Sequence, residues 1–268
     1  MTALAVTRAA TFLWIVLPYL AIPVFVAGHM WRWRHDQFTW TTRSTQLLEA
    51  RWLKIGGPLF HLGLLAVIGG HVIGILVPES LTKSLGISES VYHAFSATMG
   101  TITGLAMLAG LAILIARRLG DRRVAATTRS MDVVVMTLLA LMVATGMWNT
   151  VVENIVNGGY NYRETVSPWF RGLFLMDPDA SLMTASSVPI SYQLHAIGGW
   201  LILMIWPFSR LVHAWSVPIG YLRRRPIVYR SRAPQNVRVG AGGLSFVRGV
   251  EAARGGSQSD VFEPSRES

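Results

Sequence analysis

The sequence predicts an all-α integral membrane bundle of five transmembrane helices, with the N-terminus outside and the C-terminus cytoplasmic. Three observations support this fold class. The 268-residue chain is 51% hydrophobic, has a mean hydropathy of +0.41 and is only 14% charged, whereas ordinary soluble domains are about 25% charged. Several stretches reach the roughly 20 mainly apolar residues that a spanning helix needs. The segments that join these stretches are alternately rich and poor in arginine and lysine.

Five stretches qualify as spans. In chain order they cover roughly 11–31, 57–78, 92–116, 132–152 and 190–215. A cleaved signal peptide is the alternative for the first stretch. Its apolar run exceeds the usual length of about 7–15 residues for such a peptide, and only Arg8 precedes it. We therefore interpret it as a retained helix.

The basic residues predict the orientation of the chain. They concentrate after the first span (Arg32, Arg34, Arg43, Arg51, Lys54), after the third span (Arg117, Arg118, Arg122, Arg123, Arg129) and beyond the fifth. Because cytoplasmic segments carry an excess of arginine and lysine, the N-terminus is predicted outside, which agrees with an odd number of spans. The net charge of +10 is then mostly a topology signal, and nucleic-acid binding is an unneeded explanation. The chain has no cysteine, which excludes disulfides and cysteine-ligated metal sites within it.

Two spans carry histidines at matching predicted depths. His61 and His71 lie on the second span, and His195 and His213 lie on the fifth, which runs in the opposite direction. Ionisable residues inside spans are costly and are usually functional. One histidine from each helix at each depth favours two metal centres stacked across the bilayer. His29 and His35 flank the inner end of the first span, where facing the lipid headgroups is the simpler interpretation.

Haem is the metal group that suits these pairs. Zinc, copper or non-haem iron would call for further cysteine or carboxylate ligands, and none lies near these histidines. A haem needs only two axial ligands. Glycines beside the histidines give room for it or allow close helix packing, and both uses stay open: Gly63, Gly69, Gly70, Gly74, Gly198 and Gly199. Hydrogen-bonded histidines within the bundle are the simpler alternative for any one of the four.

The spacing along the two helices does not match. His195 and His213 are 18 residues apart, which is five turns and about 27 Å along one helix face. His61 and His71 are ten residues apart, which is about 15 Å, and their directions differ by roughly 80°. Helix tilt, canted haems and Pro207 must absorb the difference.

Four motifs resemble the gamma subunit of membrane-bound respiratory nitrate reductase. They are QFTWTTRSTQLLE (37–49), LFHLGLLAVIGGH (59–71), QLHAIGG (193–199) and FSRLVHAWSVP (208–218). The resemblance covers roughly residues 12–230. It implies a five-helix dihaem b-type cytochrome in the cell membrane that oxidises quinol on the outer side. It also implies that electrons pass inward to an iron–sulfur beta subunit and then to a molybdenum-containing alpha subunit that reduces nitrate.

The resemblance also assigns residues. It pairs His71 with His195 for the outer haem and His61 with His213 for the inner haem. We accordingly divide the chain into a membrane domain over 1–230 and a basic, largely flexible cytoplasmic tail over 231–268. Within the segment 221–250, a solvated tail and a surface that docks on a cytoplasmic partner both stay open.

The quinol site departs from the family pattern. Relatives carry a lysine near the outer start of the third span, whereas this chain reads ISESVYHAF over 87–95. Quinol oxidation needs a proton acceptor within hydrogen-bond reach. His93, with an unperturbed pKa near 6.5, is the candidate catalytic residue, and an interfacial histidine is its alternative. Gly70 would let the quinol ring approach the outer haem. Arg210 would pair with an inner haem propionate or serve as a positive-inside anchor.

Two other function classes compete with this interpretation. A transporter or channel would use the intramembrane histidines as a proton relay. A different dihaem quinol cytochrome would serve another soluble reductase, although the motif at 208–218 argues against it. The colour of the purified protein separates the transporter from both cytochromes.

Overall fold

The computed structural model describes residues 3–41 and 43–216, and every regular element in that part of the chain is helical. The all-α prediction is therefore confirmed. Six principal helices follow one another: α1 (Ala3–Thr11, Phe12–Val16 and Leu17–His35), α2 (Arg51–His71 and Val72–Leu76), α3 (Glu89–Gly120), α4 (Ser130–Met147 and Trp148–Val156), α5 (Val166–Phe174) and α6 (Ile190–Ile205). Short α-helices cover Glu79–Ser84, Arg122–Ala125 and Ser181–Thr184, and 3-10 turns cover Gln37–Thr39, Trp206–Phe208 and Arg210–Ser216.

Four of the helices are long and apolar enough to cross a membrane. They cover Thr7–His35, Arg51–Leu76, Glu89–Gly120 and Ser130–Val156, and they coincide with the first four predicted spans. Much of their apolar surface faces outward, as a lipid-embedded bundle requires. Leu62 and Leu65, for example, are 68% and 64% exposed on the surface of α2.

The predicted fifth helix over 190–215 is wrong in its C-terminal part. The α-helix ends at Ile205, a 3-10 turn covers Trp206–Phe208, and Ser209 is extended before a second 3-10 segment begins at Arg210. Pro207 explains the break because it lacks an N–H and its ring collides with the preceding helical turn. The 18-residue interval from His195 to His213 therefore does not measure a distance along one helix.

A buried arginine from α1 stabilises the broken end of α6. Arg32 is 8% exposed, and its Nη1 donates hydrogen bonds to the carbonyl oxygens of Pro207 (2.7 Å) and Ser209 (2.8 Å). Its Nη2 donates to the carbonyl oxygen of Thr39 (2.9 Å). Buried carbonyl groups need such partners because an unpaired one costs about 1–3 kcal/mol. Arg32 thus joins the chain around Pro207 to the C-terminal end of α1.

Close backbone packing joins α2 to α3. A Cβ on Gly63 would lie 2.7 Å from the backbone nitrogen of Met107, and one on Gly56 would lie 2.8 Å from Cγ2 of Ile113. Glycine at such positions lets two spanning helices approach closely. The seam is filled by the buried side chains of Phe60 and Met107.

The short helix α5 binds two π-helical segments. Trp169 donates from Nε1 to the carbonyl of Trp14 (2.8 Å), within the π-helical Phe12–Val16. Ser167 and Arg171 donate to the carbonyls of Gly74 (3.1 Å) and Ile75 (2.8 Å), within the π-helical segment that directly follows His71. The wide turns of a π-helix displace carbonyls from the regular ladder, and α5 supplies their partners.

Ionic contacts bring the basic connecting segments to one end of the bundle. Arg117 bonds to Thr45 and to Glu49 (Nε to Oε2, 2.5 Å), which joins α3 to the segment before α2. Arg210 bonds to the carbonyl of Thr127 and to Asp132 at the start of α4. The segments 36–50, 121–129 and 209–216 therefore share one end of the bundle.

The predicted boundary at residue 230 lies outside the described residues. The same is true of the tail over 231–268 and of the proposed docking segment 221–250.

Candidate functional site

His71 and His195 face each other across two helices. His71 ends the α-helical part of α2, and His195 lies in the second turn of α6. Their ring centroids are 5.9 Å apart and their planes differ by 18°. This is the pair that the sequence predicted for one level of the bundle.

His61 and His213 form the second pair. Their ring centroids are 6.0 Å apart and their planes differ by 71°. His213 reaches this position from the 3-10 segment after the break at Pro207, not from a continuous helix. The break thus accommodates the mismatch between the two sequence spacings.

All four imidazoles are oriented through Nδ1. Each Nδ1 lies at hydrogen-bond distance from an oxygen: Gly57 O for His61 (2.8 Å), Val67 O for His71 (2.8 Å), Arg210 O for His213 (2.5 Å) and Thr145 Oγ1 for His195 (2.9 Å). A carbonyl oxygen can only accept, so Nδ1 carries the proton in three of the rings. Within residues 3–41 and 43–216, no hydrogen bond engages Nε2 of any of the four. These are the tautomer and the oriented ring of metal-bound histidines.

The distances fit one metal ion between the rings of each pair. Two metal–nitrogen bonds of about 2 Å, each extended by the radius of an imidazole ring, separate the ring centroids by roughly 6 Å. The described part of the chain holds no cluster of three or more histidine, cysteine or carboxylate side chains. Each pair offers two imidazole nitrogens, which suits a group that takes two protein ligands, and haem is such a group.

Two other histidines differ from these four in the groups that adjoin their rings. His29 uses both ring nitrogens, because Nδ1 bonds to the carbonyl of Phe25 (2.7 Å) and Nε2 accepts from the indole of Trp215 (3.0 Å). Its ring also packs against Trp40 at 5.7 Å. Exposed His35 bonds to the carbonyl of Trp31 at 2.9 Å and stacks on that indole. Neither ring faces a second imidazole.

The glycines predicted to flank the haems divide into two groups. A Cβ on Gly69 or Gly70 would meet nothing within 4 Å, so open space adjoins His71 on this helix. Gly63 packs against α3, Gly74 packs against Tyr162, and a Cβ on Gly198 would lie 2.5 Å from Sδ of Met142. Gly69 and Gly70 therefore leave room beside His71, whereas Gly63, Gly74 and Gly198 allow close packing.

His93 lies in the first turns of α3, and its Nε2 is buried without a hydrogen-bond partner. A Cβ on Gly159 would lie 2.8 Å from this nitrogen. Gly159 has a φ of +98°, a conformation that side-chain-bearing residues rarely adopt. The loop therefore covers His93 at a position where only glycine fits.

A polar cluster that the sequence analysis did not identify surrounds this end of the bundle. The hydroxyls of Tyr92 and Tyr162 are 3.1 Å apart. Arg163, which is 3% exposed, lies 3.9 Å from the ring centroid of Tyr92 and donates to Glu89 (3.1 Å) and Thr82 (2.8 Å). Burial raises the pKa of Tyr162 far above its usual value, so its phenol stays protonated. Tyrosine and arginine in a polar loop carry no spacing signal that would have revealed the contact.

Arg210 is held by a carboxylate at the basic end. Its Nη2 donates to Oδ2 of Asp132 at 2.6 Å, and its Nε lies 2.6 Å from Oδ1. Asp132 also accepts from the backbone N–H of Arg129 (2.9 Å) at the start of α4, and Nη1 of Arg118 lies 3.7 Å away. Asp132 was missed as a site residue, although a carboxylate in the first turn of a helix after a basic segment was a signal for it.

Thr145 was also missed. It lies on α4, where the sequence shows three threonines, Thr137, Thr145 and Thr150, in an apolar run, and it contacts His195. A hydroxyl in a spanning helix usually bonds to the carbonyl four residues earlier. Only the packing of α4 against α6 shows that it has a second partner.

Fold and site together define a helical protein that has four helices able to cross a membrane and two cross-helix histidine pairs. The profile of the nitrate reductase gamma subunit family matches residues 10–232. The chain belongs to the nitrate reductase gamma subunit family. The predicted resemblance is thereby confirmed.

Individual relatives agree with this assignment. The chain is 46% identical to the nitrate reductase gamma chain of Bacillus subtilis over 221 residues, which cover 82% of this chain and 98% of that one. It is 30% identical to the respiratory nitrate reductase 1 gamma chain of Escherichia coli, with 82% and 97% covered. It is 44% identical to the nitrate reductase-like protein NarX of Mycobacterium tuberculosis, with 82% of this chain but only 33% of NarX covered.

Proposed function

We propose that the chain is the membrane-anchoring cytochrome b subunit of a respiratory nitrate reductase complex. It oxidises quinol near the outer side of the cell membrane and delivers the electrons to an iron–sulfur beta subunit. A molybdenum-containing alpha subunit then reduces nitrate. The observation that carries the proposal is the presence of two imidazole pairs whose centroids are 5.9 and 6.0 Å apart. Membership of the gamma subunit family supports it.

Two b haems are the proposed cofactors. His61 and His213 hold the inner one, and His71 and His195 hold the outer one. A bound haem supplies an iron that gains and loses one electron at a time. The protein contributes four Nε2 ligands and the Nδ1 hydrogen bonds that orient them. Arg210 is proposed to lie beside an inner haem propionate while Asp132 holds its guanidinium.

Five spans, with the N-terminus outside, are the proposed topology. The fifth consists of α6, whose 16 residues rise about 24 Å, and the 3-10 segment that follows it. A hydrocarbon core is about 30 Å thick, so the additional turns complete the crossing. The shared position of the basic segments at one end of the bundle supports a cytoplasmic assignment for that end. The membrane domain over 1–230 and the tail over 231–268 remain proposals.

Quinol oxidation is proposed to occur beside His93 and Gly70. His93 accepts a proton from the quinol hydroxyl, and Gly70 leaves space for the ring next to His71. The partnerless Nε2 of His93 and the open space beside Gly70 support these roles. An imidazole is suited to accept a proton near neutral pH.

Spectroscopy on the complex purified from membranes tests this function. We expect a reduced-minus-oxidised difference spectrum of b haem and two haems per chain by pyridine haemochrome analysis. His61→Ala or His213→Ala should remove the inner haem only, and His71→Ala or His195→Ala the outer one only. His35→Ala is the matched control and should retain both. A colourless protein would instead support a transporter that uses its histidines as a proton relay.

A further inference from the structure

We infer that Thr145 is a positioning residue for His195 and thereby lowers the reduction potential of the outer haem. The inference rests on the proposed function, in which His195 ligates that haem. Thr145 lies on α4, which contributes no histidine to either pair. Its Oγ1 is 2.9 Å from Nδ1 of His195 and 2.9 Å from the carbonyl oxygen of Leu141.

The direction of these hydrogen bonds follows from counting protons. The carbonyl of Leu141 has no proton, so the single hydroxyl proton of Thr145 is donated to it. The carbonyl of Met142, at 3.2 Å, is the second available acceptor in the same direction. The lone pairs of Oγ1 are then left to accept the Nδ1 proton of His195. Because Nδ1 carries the proton, Nε2 is free to bind a metal.

Thr145 differs from the partners of the other three histidines. His61, His71 and His213 bond to backbone carbonyls three or four residues earlier in their own segments, which no substitution can remove. His195 bonds to a side chain on the neighbouring helix α4, whose Met142 backbone also interacts with the ring. The orientation of this one ligand is thus open to adjustment by a single amino acid.

Gly146 allows the His195 ring to pack closely against α4. A Cβ on this residue would lie 3.0 Å from Cε1 of His195 and 3.6 Å from Nδ1. The ring therefore packs against the backbone of Gly146, and the adjacent Thr145 hydroxyl bonds to its Nδ1. In this position the ring planes of His71 and His195 are near-parallel, 18° apart.

A hydrogen bond to Nδ1–H makes an imidazole a stronger donor to iron and restrains its rotation. Stronger donation favours the oxidised iron and so lowers the reduction potential. Removing the acceptor should raise the potential of the outer haem and let its ligand plane rotate. Among the described residues, the Nδ1 atoms of His61 and His213 bond to backbone carbonyls, so the inner pair provides an internal reference.

Three variants of the complete complex test this inference. Thr145→Val keeps the shape and removes the hydroxyl, and Thr145→Ser keeps the hydroxyl. Thr101→Val is the matched control, because Thr101 donates to the carbonyl of Ala97 (2.7 Å) within α3 and does not hydrogen-bond to a histidine of the described residues. For each variant, haem content, redox titration of both haems and the ferric low-spin electron paramagnetic resonance spectrum are measured.

We expect Thr145→Val to retain the inner haem unchanged. Its outer haem should titrate at a higher potential and show an altered resonance spectrum, or be lost selectively. Thr145→Ser and Thr101→Val should resemble the unmodified protein. An outer haem unchanged in potential and spectrum in Thr145→Val would overturn the inference, as would equal loss of both haems. If the unmodified protein contains no haem, the proposed function itself fails, and the two failures are thereby distinguished.

Discussion

At the scale of single residues, the groups that face each imidazole ring distinguish the histidines from one another. His29 has partners on both nitrogens and is part of an aromatic cluster. His71 uses only Nδ1 and faces a second imidazole. His35 makes the same kind of Nδ1 contact, to the carbonyl of Trp31, but its ring stacks on an indole and not on an imidazole. The facing of two imidazoles, and not the Nδ1 contact alone, is therefore the feature that supports the proposed ligand role of His71.

His93→Ala tests the proposed proton acceptor. We expect the variant to retain both haems, because His93 lies outside both pairs, and to be reduced by quinol analogues at least about tenfold more slowly, since general base catalysis typically contributes a factor of about 10²–10⁴. Stopped-flow haem reduction measures the rate, with His35→Ala as the control. Reduction at the unmodified rate would exclude His93 from the mechanism.

Glu49 should make stability at the basic end depend on pH. Burial opposes its ionisation, but hydrogen bonds from the N–H of Trp52 (2.9 Å) and from Arg117 (2.5 Å) outweigh this and lower the pKa of Glu49. A lowered folded-state pKa stabilises the fold above the unfolded value of about 4.3, and this stabilisation is lost as pH falls through the folded pKa.

The change that tests this is Glu49→Gln. Thermal unfolding in detergent should show a lower Tm than the unmodified protein at neutral pH. The difference should shrink as the pH is lowered below about 4. Glu164→Gln, an exposed carboxylate at the other end of the bundle, is the control. A difference in Tm that does not vary with pH would contradict the assignment.

At the scale of elements, α5 supports the helix that carries His71. Ser167 is fully buried, and its hydroxyl bonds to the carbonyl of Gly74, three residues beyond His71. A π-helical turn directly after a proposed ligand is a frequent feature of functional sites. The short helix therefore stabilises a local geometry that an α-helix would not provide.

Ser167→Ala should lower the free energy of unfolding by more than a substitution that removes one exposed hydrogen bond. Leaving the Gly74 carbonyl buried and unpaired should cost about 1–3 kcal/mol of unfolding free energy. We expect a lower Tm and slower haem reduction by quinol analogues, with the inner haem retained. Ser84→Ala, which removes an exposed hydroxyl bonded to Leu81, is the control. Equal effects of the two substitutions would show that α5 has no special role.

At the scale of the whole molecule, the two ends of the bundle differ in charge and in their hydrogen-bonded residues. One end joins the segments 36–50, 121–129 and 209–216 through Arg32, Arg117 and Arg210. The other end holds the Tyr92–Tyr162 contact and His93. With the first end cytoplasmic, protons from quinol would be released outside, and the reaction would contribute to the membrane potential.

The absence of cysteine makes the orientation directly measurable. A single cysteine in place of Ser84 should react with a membrane-impermeant thiol reagent applied to the periphery of intact cells. One in place of Arg122, exposed in the segment between α3 and α4, should react only after the membrane is permeabilised. The reverse labelling pattern would overturn the proposed topology and the proposed side of quinol oxidation together.

The sequence determined the helical class, the first four spans and the family. Apolar length is a strong signal, because a chain in lipid must pair its own backbone groups and long apolar runs become helices. The motif around His213 is equally informative because its residues are contiguous. The pairing of His71 with His195 could likewise be predicted from two spans expected to be antiparallel. In such spans, the second histidine of one lies at the same depth as the first histidine of the other.

The tertiary structure decided where α6 ends and what holds each imidazole. Pro207 was a visible helix breaker, but the path of the chain after it depends on Arg32, 175 residues earlier than the Pro207 carbonyl that it binds. Thr145 reaches His195 across 50 positions, and Ser167 reaches Gly74 across 93. Such contacts follow from how helices pack and rotate against one another, and hydropathy, charge and periodicity do not specify that rotation.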